Sequence, residues 1–183
     1  MKGSLSLMMI GMTISGHPRR PKNTLIFLQF KSMNNLSLSQ QALEPLRDEH
    51  KDVLLLCSRI REGLKRGIEM KRIRKYTDWF QETHLKPHFE LGEQLIFPLL
   101  GNNVRVKKAL ANHRRIKRLL SCSCKDEKVL NLLEEELTTH IRFEERILYK
   151  ELELSNPGRI SEIEEQHKVM QAHEREWKDP FWF

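Results

Sequence analysis

Residues 137–152 read LTTHIRFEERILYKEL. Leu137, His140/Ile141, Glu144 and Leu148 recur three or four positions apart, the spacing of one helix face. An imidazole and a carboxylate therefore share an otherwise apolar stripe, one turn apart. An HxxxE pair in this register can bring a ring nitrogen and a carboxylate oxygen to a single ion, and the carboxylate can bridge two ions.

Three more histidines stand in comparable settings: His50 in LRDEHKDVLLLCSRI (46–60), His88 in HLKPHFELGEQLIFPLL (84–100) and His113 in ALANHRRIKRLL (109–120). The first stripe is Leu43, Leu46, His50, Val53/Leu54, Cys57, Ile60 and Leu64. The second is Ile73, Tyr76, Phe80, His84, His88, Leu91 and Leu95. The third is Val106, Leu110, His113, Ile116/Lys117 and Leu120. These periodicities predict helices over 39–66, 71–99, 104–120 and 126–154, the second kinked or divided at Pro87. A more polar fifth helix is expected over 159–177, and the aromatic end DPFWF is expected to fold back on the rest. No strand pattern of useful length interrupts them. The fold class is all-α: an up-down-up-down four-helix bundle with a short C-terminal helix and a disordered N-terminal extension. The divisions fall at 1–38, 39–156 and 157–183.

A lone histidine on an apolar stripe is ordinarily a satisfied core residue. Four of them, one per helix, are expensive to bury without a common partner, and a metal ion satisfies them together. The second motif departs from the fourth at one place: Gly92 stands four residues after His88, where the HxxxE spacing calls for a carboxylate. Glu93 lies about 100° around an ideal helix and turns inward only if the helix is locally overwound or bulged. Glu90 points away. His84, one turn before His88, is an alternative ligand; its plainer reading is a half-buried polar residue beside the Pro87 kink. Glu93 is more simply a solvated acid.

In combination, EHKDVLLL, PHFELGEQLIFPLL, NHRRIKRLL and HIRFEERILY resemble the hemerythrin-like (HHE cation-binding) domain family, over about 43–154. The resemblance implies a left-handed four-helix bundle around non-haem iron, usually a carboxylate-bridged pair of ions. It implies His50, His88, His113, His140 and Glu144 as metal ligands; His84 and Glu93 are weaker candidates on helix spacing alone. Gly92 replaces the family's second bridging carboxylate. That leaves three possibilities: two irons with one bridge, a single iron, or a metal-free relic.

Composition agrees with a helical domain. Of 183 residues, only 8 are Gly and 7 Pro, so little breaks helical runs. The net charge of +7 is local: residues 1–40 carry Lys2, Arg19, Arg20, Lys22 and Lys31 and no acid, leaving about +2 for the remainder. Basic clusters at 65–75 and 105–118 alternate with apolar positions and read as solvated helix faces, so no nucleic-acid partner is expected. Residues 1–32 read as a disordered extension, and the apolar run LSLMMIGM within it is too short to span a bilayer. Three cysteines offer no disulfide framework, and the expected setting is the reducing cytoplasm. Cys122 and Cys124 flank Ser123 in an interhelical turn. His17, His167 and His173 lie outside the motif; the last two, six apart, read as surface residues.

The expected function is non-haem iron binding, di-iron or single iron, serving to bind or sense O2 or NO or to store and deliver iron. No catalytic residues are assigned, no membrane contact is expected, and no protein partner is identifiable. The alternative is a metal-free helical interaction module in which Gly92 marks a degenerate site.

Overall fold

A computed structural model describes residues 41–122, 126–170 and 176–183 of the chain. The expected N-terminal extension, Cys124 and His173 lie outside the described residues. All regular structure among those described is helical. Helix α1 spans Glu44–Lys65. A second rod is built from α2 (Met70–Phe80), α3 (Lys86–Leu91) and α4 (Phe97–Leu100), joined by π-helical turns at Gln81–Leu85 and Gly92–Ile96. Helix α5 spans Val104–Leu120. A fourth rod comprises α6 (Glu127–Phe143), a π-helical turn at Glu144–Leu148 and α7 (Tyr149–Ser155). After a 3-10 turn at Pro157–Arg159, α8 spans Ile160–Met170.

The rod ends follow local chemistry. Asn103 and Asp126 cap α5 and α6, each side chain accepting a hydrogen bond from a backbone N–H of the first turn. Gly67 and Gly101 follow the first and second rods with φ of 65° and 74°, a left-handed region that a side chain would disfavour. Pro87 sits in the first turn of α3, directly after the π-helical turn, so its missing N–H is absorbed at that junction.

Each π-helical turn moves the buried face one residue along the chain. After Phe80 the next buried position is Leu85 rather than His84, and after Leu91 and Gly92 it is Ile96 rather than Leu95. The expected second stripe is corrected at these two places. The reason is that a π-turn adds a residue to the 3.6-residue repeat. On α1, Val53 takes the inward position and Leu54 is exposed.

Buried apolar residues form two clusters. One includes Val53, Ile60, Tyr76, Leu85, Ile116 and Leu137. The other includes Leu46, Leu91, Ile96, Ala109, Leu148 and Ile163. Read along the chain, α1 passes from the second cluster to the first, the second rod back again, α5 out and the fourth rod back. Between them, on all four rods, lies a buried layer of His50, His88, His113, His140 and Glu144. A leucine at any of these positions would contribute about 1.5–3 kcal/mol by burial. The polar layer forgoes that stabilisation.

The C-terminal segment folds back, as expected. Phe181 is 4% exposed and joins the first cluster, with Trp177 and Trp182 against it. Its seat is Gly63, where a Cβ would lie 2.7 Å from Phe181 Cε2. Arg72 pairs with Asp179 at 2.5 Å, and the Arg59 guanidinium lies 3.8 Å over the Trp182 ring. Glu176 and Trp177 are not helical, so the predicted fifth helix does not reach 177. No helix among the described residues is long and apolar enough to cross a membrane.

Candidate metal centre

Glu144 occupies the middle of the polar layer. Its Oε2 lies 3.2 Å from His50 Nε2 and 3.3 Å from His88 Nε2. Its Oε1 lies 3.4 Å from His140 Nε2 and 3.8 Å from His113 Nε2. One carboxylate thus serves two half-sites, His50–His88–Glu144 and His113–His140–Glu144. In each, the three donor atoms lie within 4.8 Å of one another. All five residues are at most 5% exposed, so bulk water cannot compensate their polar atoms.

The outward ring nitrogens are held too. His50 Nδ1 is 3.2 Å from Glu145 Oε1, and His88 Nδ1 is 3.2 Å from Glu49 Oε2. His113 Nδ1 is 2.7 Å from Glu93 Oε1, which also accepts from Lys117 Nζ at 2.8 Å. Glu49 reaches a further histidine through its other oxygen, Oε1, 3.1 Å from His167 Nε2. His140 differs: its Nδ1 is buried with no hydrogen-bond partner among the described residues. Histidines that bind metal through one nitrogen ordinarily direct the other N–H at a carboxylate or carbonyl. Three of the four here do so.

Electrostatics follow from burial and crowding. Burial alone would lower the pKa of His88. Hydrogen bonds and charge from Glu144 and Glu49 overrule it and raise it to about 10. Burial pushes His140 down to about 3, reinforced by the charges of the other three imidazoles against the pull of Glu144. Burial would raise Glu144, but the surrounding imidazoles hold it well below the ordinary carboxylate range. Tyr149, whose hydroxyl is 3.1 Å from His50 Nε2, is pushed well above 10 by burial and by Glu144 and Glu49, so it keeps its proton.

The donor set fits a metal. The Nε2 atoms of His113 and His140 face each other at 3.0 Å in a dry interior. Of the two, at most one can donate to the other, and a cation between such lone pairs satisfies both. Each half offers two imidazoles and one carboxylate oxygen, a donor set that a divalent transition-metal ion accepts.

The five ligands expected from the sequence are therefore brought together. His84 is not: it stacks on Phe80 with ring centroids 4.2 Å apart, and its Nδ1 is 2.7 Å from Thr83 Oγ1. The π-helical turn at Gln81–Leu85 gives the inward position to Leu85 instead. Glu93 is turned toward the site, within the second bulged turn, but it meets the far nitrogen of His113 rather than the metal-facing one. His167 corrects the reading of a surface residue, being 3% exposed. Its spacing from Ile160 and Ile163, seven and four residues, was the overlooked signal. Glu49, Glu145 and Tyr149 also escaped attention; the first two directly follow or precede a predicted ligand in sequence.

Comparison with protein-family models, curated proteins and solved structures finds no match for this chain.

Proposed function

We propose that this chain is a hemerythrin-like non-haem iron protein, with its rods forming an up-down-up-down four-helix bundle around the site. The observation that carries the reading is Glu144, one buried carboxylate whose two oxygens each face a separate pair of imidazole Nε2 atoms. His50, His88 and Glu144 would hold one ion, and His113, His140 and Glu144 the other. Bound iron would supply a redox-active Lewis acid with positions free for a small exogenous ligand such as O2 or NO.

The chain's own groups do the rest. Glu49, Glu145 and Glu93 orient the imidazoles and bring negative charge near two cations that share a single carboxylate. Phe89 and Phe97, with ring centroids 4.3 and 5.3 Å from His113, shut water out of that half. Tyr149 keeps a phenolic proton beside His50, available to a hydrogen-bond acceptor there. Reversible binding or sensing of a diatomic ligand, or storage and delivery of iron, suits this layout better than turnover.

The test is iron stoichiometry after anaerobic loading, with absorption spectra before and after O2 and NO. Near two irons per chain supports the bridged pair. Near one supports a mononuclear site, which His50→Ala should then abolish if it lies in that half. No bound iron, and a melting curve indifferent to chelation, would refute the reading and leave a metal-free interaction module marked by Gly92.

A further inference from the structure

The second and fourth rods follow one plan. His88-Phe-Glu-Leu-Gly92-Glu93-Gln-Leu-Ile96-Phe97 and His140-Ile-Arg-Phe-Glu144-Glu145-Arg-Ile-Leu148-Tyr149 align without a gap. In both, the residue four after the histidine opens a π-helical turn of five residues. In both, the next residue is a glutamate whose Oε1 meets Nδ1 of a histidine on another rod: Glu93 with His113, and Glu145 with His50. In both, the aromatic four residues after that glutamate lies against the same histidine. Phe97 is 5.3 Å from His113 and Tyr149 is 5.2 Å from His50, centroid to centroid. The site therefore has an internal two-fold relation that exchanges α1 with α5 and the second rod with the fourth.

That relation exposes a second break besides Gly92. His88 Nδ1 is held by Glu49, the residue just before His50. The counterpart of His88 is His140, and the residue just before His113 is Asn112. His140 Nδ1 is the buried nitrogen with no partner among the described residues. Glu49 is itself anchored by His167, whereas Glu93, the single carboxylate behind the other half, shares its oxygen with Lys117.

We infer that the two half-sites are unequal: the His50–His88 half binds metal tightly, and the His113–His140 half binds it weakly because Asn112 stands where Glu49's counterpart would support His140. This rests on the metal-binding reading above. A carboxylate behind a ligating imidazole fixes its orientation and raises its basicity, and losing one costs roughly 10- to 100-fold in metal affinity. Gly92 does not explain the inequality, since a carboxylate there would serve both halves as Glu144 does.

The experiment titrates the full-length, metal-stripped chain with Zn2+, a redox-silent ion that accepts imidazole and carboxylate. Calorimetry and a competing chelator provide the readout. The expected isotherm has two classes of one site each, separated by about tenfold or more. Asn112→Glu should strengthen the weak class and close the gap while the tight class stays put. Glu49→Gln should weaken the tight class alone. Circular dichroism verifies that each variant is folded, and Asn112→Glu asks for a gain of affinity that misfolding cannot mimic. Two equal sites in the parent chain, or a folded Asn112→Glu protein with an unaltered weak class, would overturn the inference and leave metal binding standing. No Zn2+ bound by the parent chain would overturn both.

Discussion

Gly92 and Glu144 occupy equivalent places, each four residues after a buried histidine and each opening a π-helical turn, yet only one carries a side chain. A Cβ at Gly92 would lie 3.6 Å from both His113 Cε1 and Phe97 Cζ, ordinary contact distances, and the backbone there is helical. Gly92→Ala is therefore expected to stabilise the chain by about 0.5–1 kcal/mol, the usual gain over a helical glycine. Thermal denaturation of the metal-free protein checks it; a lower melting temperature would mean the site tolerates nothing at 92. Gly92→Glu should raise iron retention during dialysis, since it restores a second anionic group to the layer.

Metal should act as a folding ligand. At a free concentration one hundred times its dissociation constant, an ion bound only by the folded state adds about 2.7 kcal/mol. For a chain of this size that is a rise in melting temperature of roughly 5–10 °C. Calorimetric scans with Fe2+ under anaerobic conditions, and with chelator, should differ by about this much; superimposable scans would count against a bound metal.

Glu144→Ala removes the one carboxylate common to both halves. Metal binding should disappear from both. The metal-free protein should also lose roughly 3–5 kcal/mol, because His88 is left buried with half its compensation gone. Chemical denaturation and metal analysis test the two parts separately. A variant that retains one full equivalent of tightly held metal would show that the histidines suffice without it.

The contact between the C-terminal segment and α2 should loosen in acid. Hydrogen bonding to Arg72 is the main reason Asp179 sits below its usual pKa, so its contribution is present above the unfolded value near about 3.9 and is lost as pH falls through the folded one. The chain's three tryptophans, Trp79, Trp177 and Trp182, all pack against the apolar cluster that Phe181 joins. Their emission should therefore shift below about pH 4. Arg72→Ala should bring that shift into neutral buffer, and an unchanged spectrum would place the anchor in Phe181 and Gly63 alone.

The helical fold and the five central residues were legible because burial and helical periodicity agree wherever the rods are plain α-helix. Helix α5 begins and ends at the residues its pattern indicates, Val104 and Leu120. The misreadings cluster at the π-helical turns. A 3.6-residue repeat carried through Gln81–Leu85 puts His84 inside, and one carried through Gly92–Ile96 puts Leu95 inside and Glu93 on the surface. Nothing in those two segments announces the extra residue beyond a nearby proline and a glycine. Glu49 and His167 were missed for another reason. The pairing of Glu49 with His167 depends on α8 packing against α1 and α3, a long-range contact; only the burial of His167 was readable locally, from its spacing to Ile160 and Ile163.

A five-residue π-helical turn is in effect an insertion of one residue into a helix that otherwise keeps its course. Removing a single residue from Gly92–Ile96 would not shorten a loop; it would rotate everything downstream by about 100°. Phe97 would leave His113, and the Pro98–Gly101 corner that launches α5 would swing with it. Chain length across this segment is thus as much a part of the centre as the donor atoms, and a family tree of such proteins should show substitutions there far more readily than gaps.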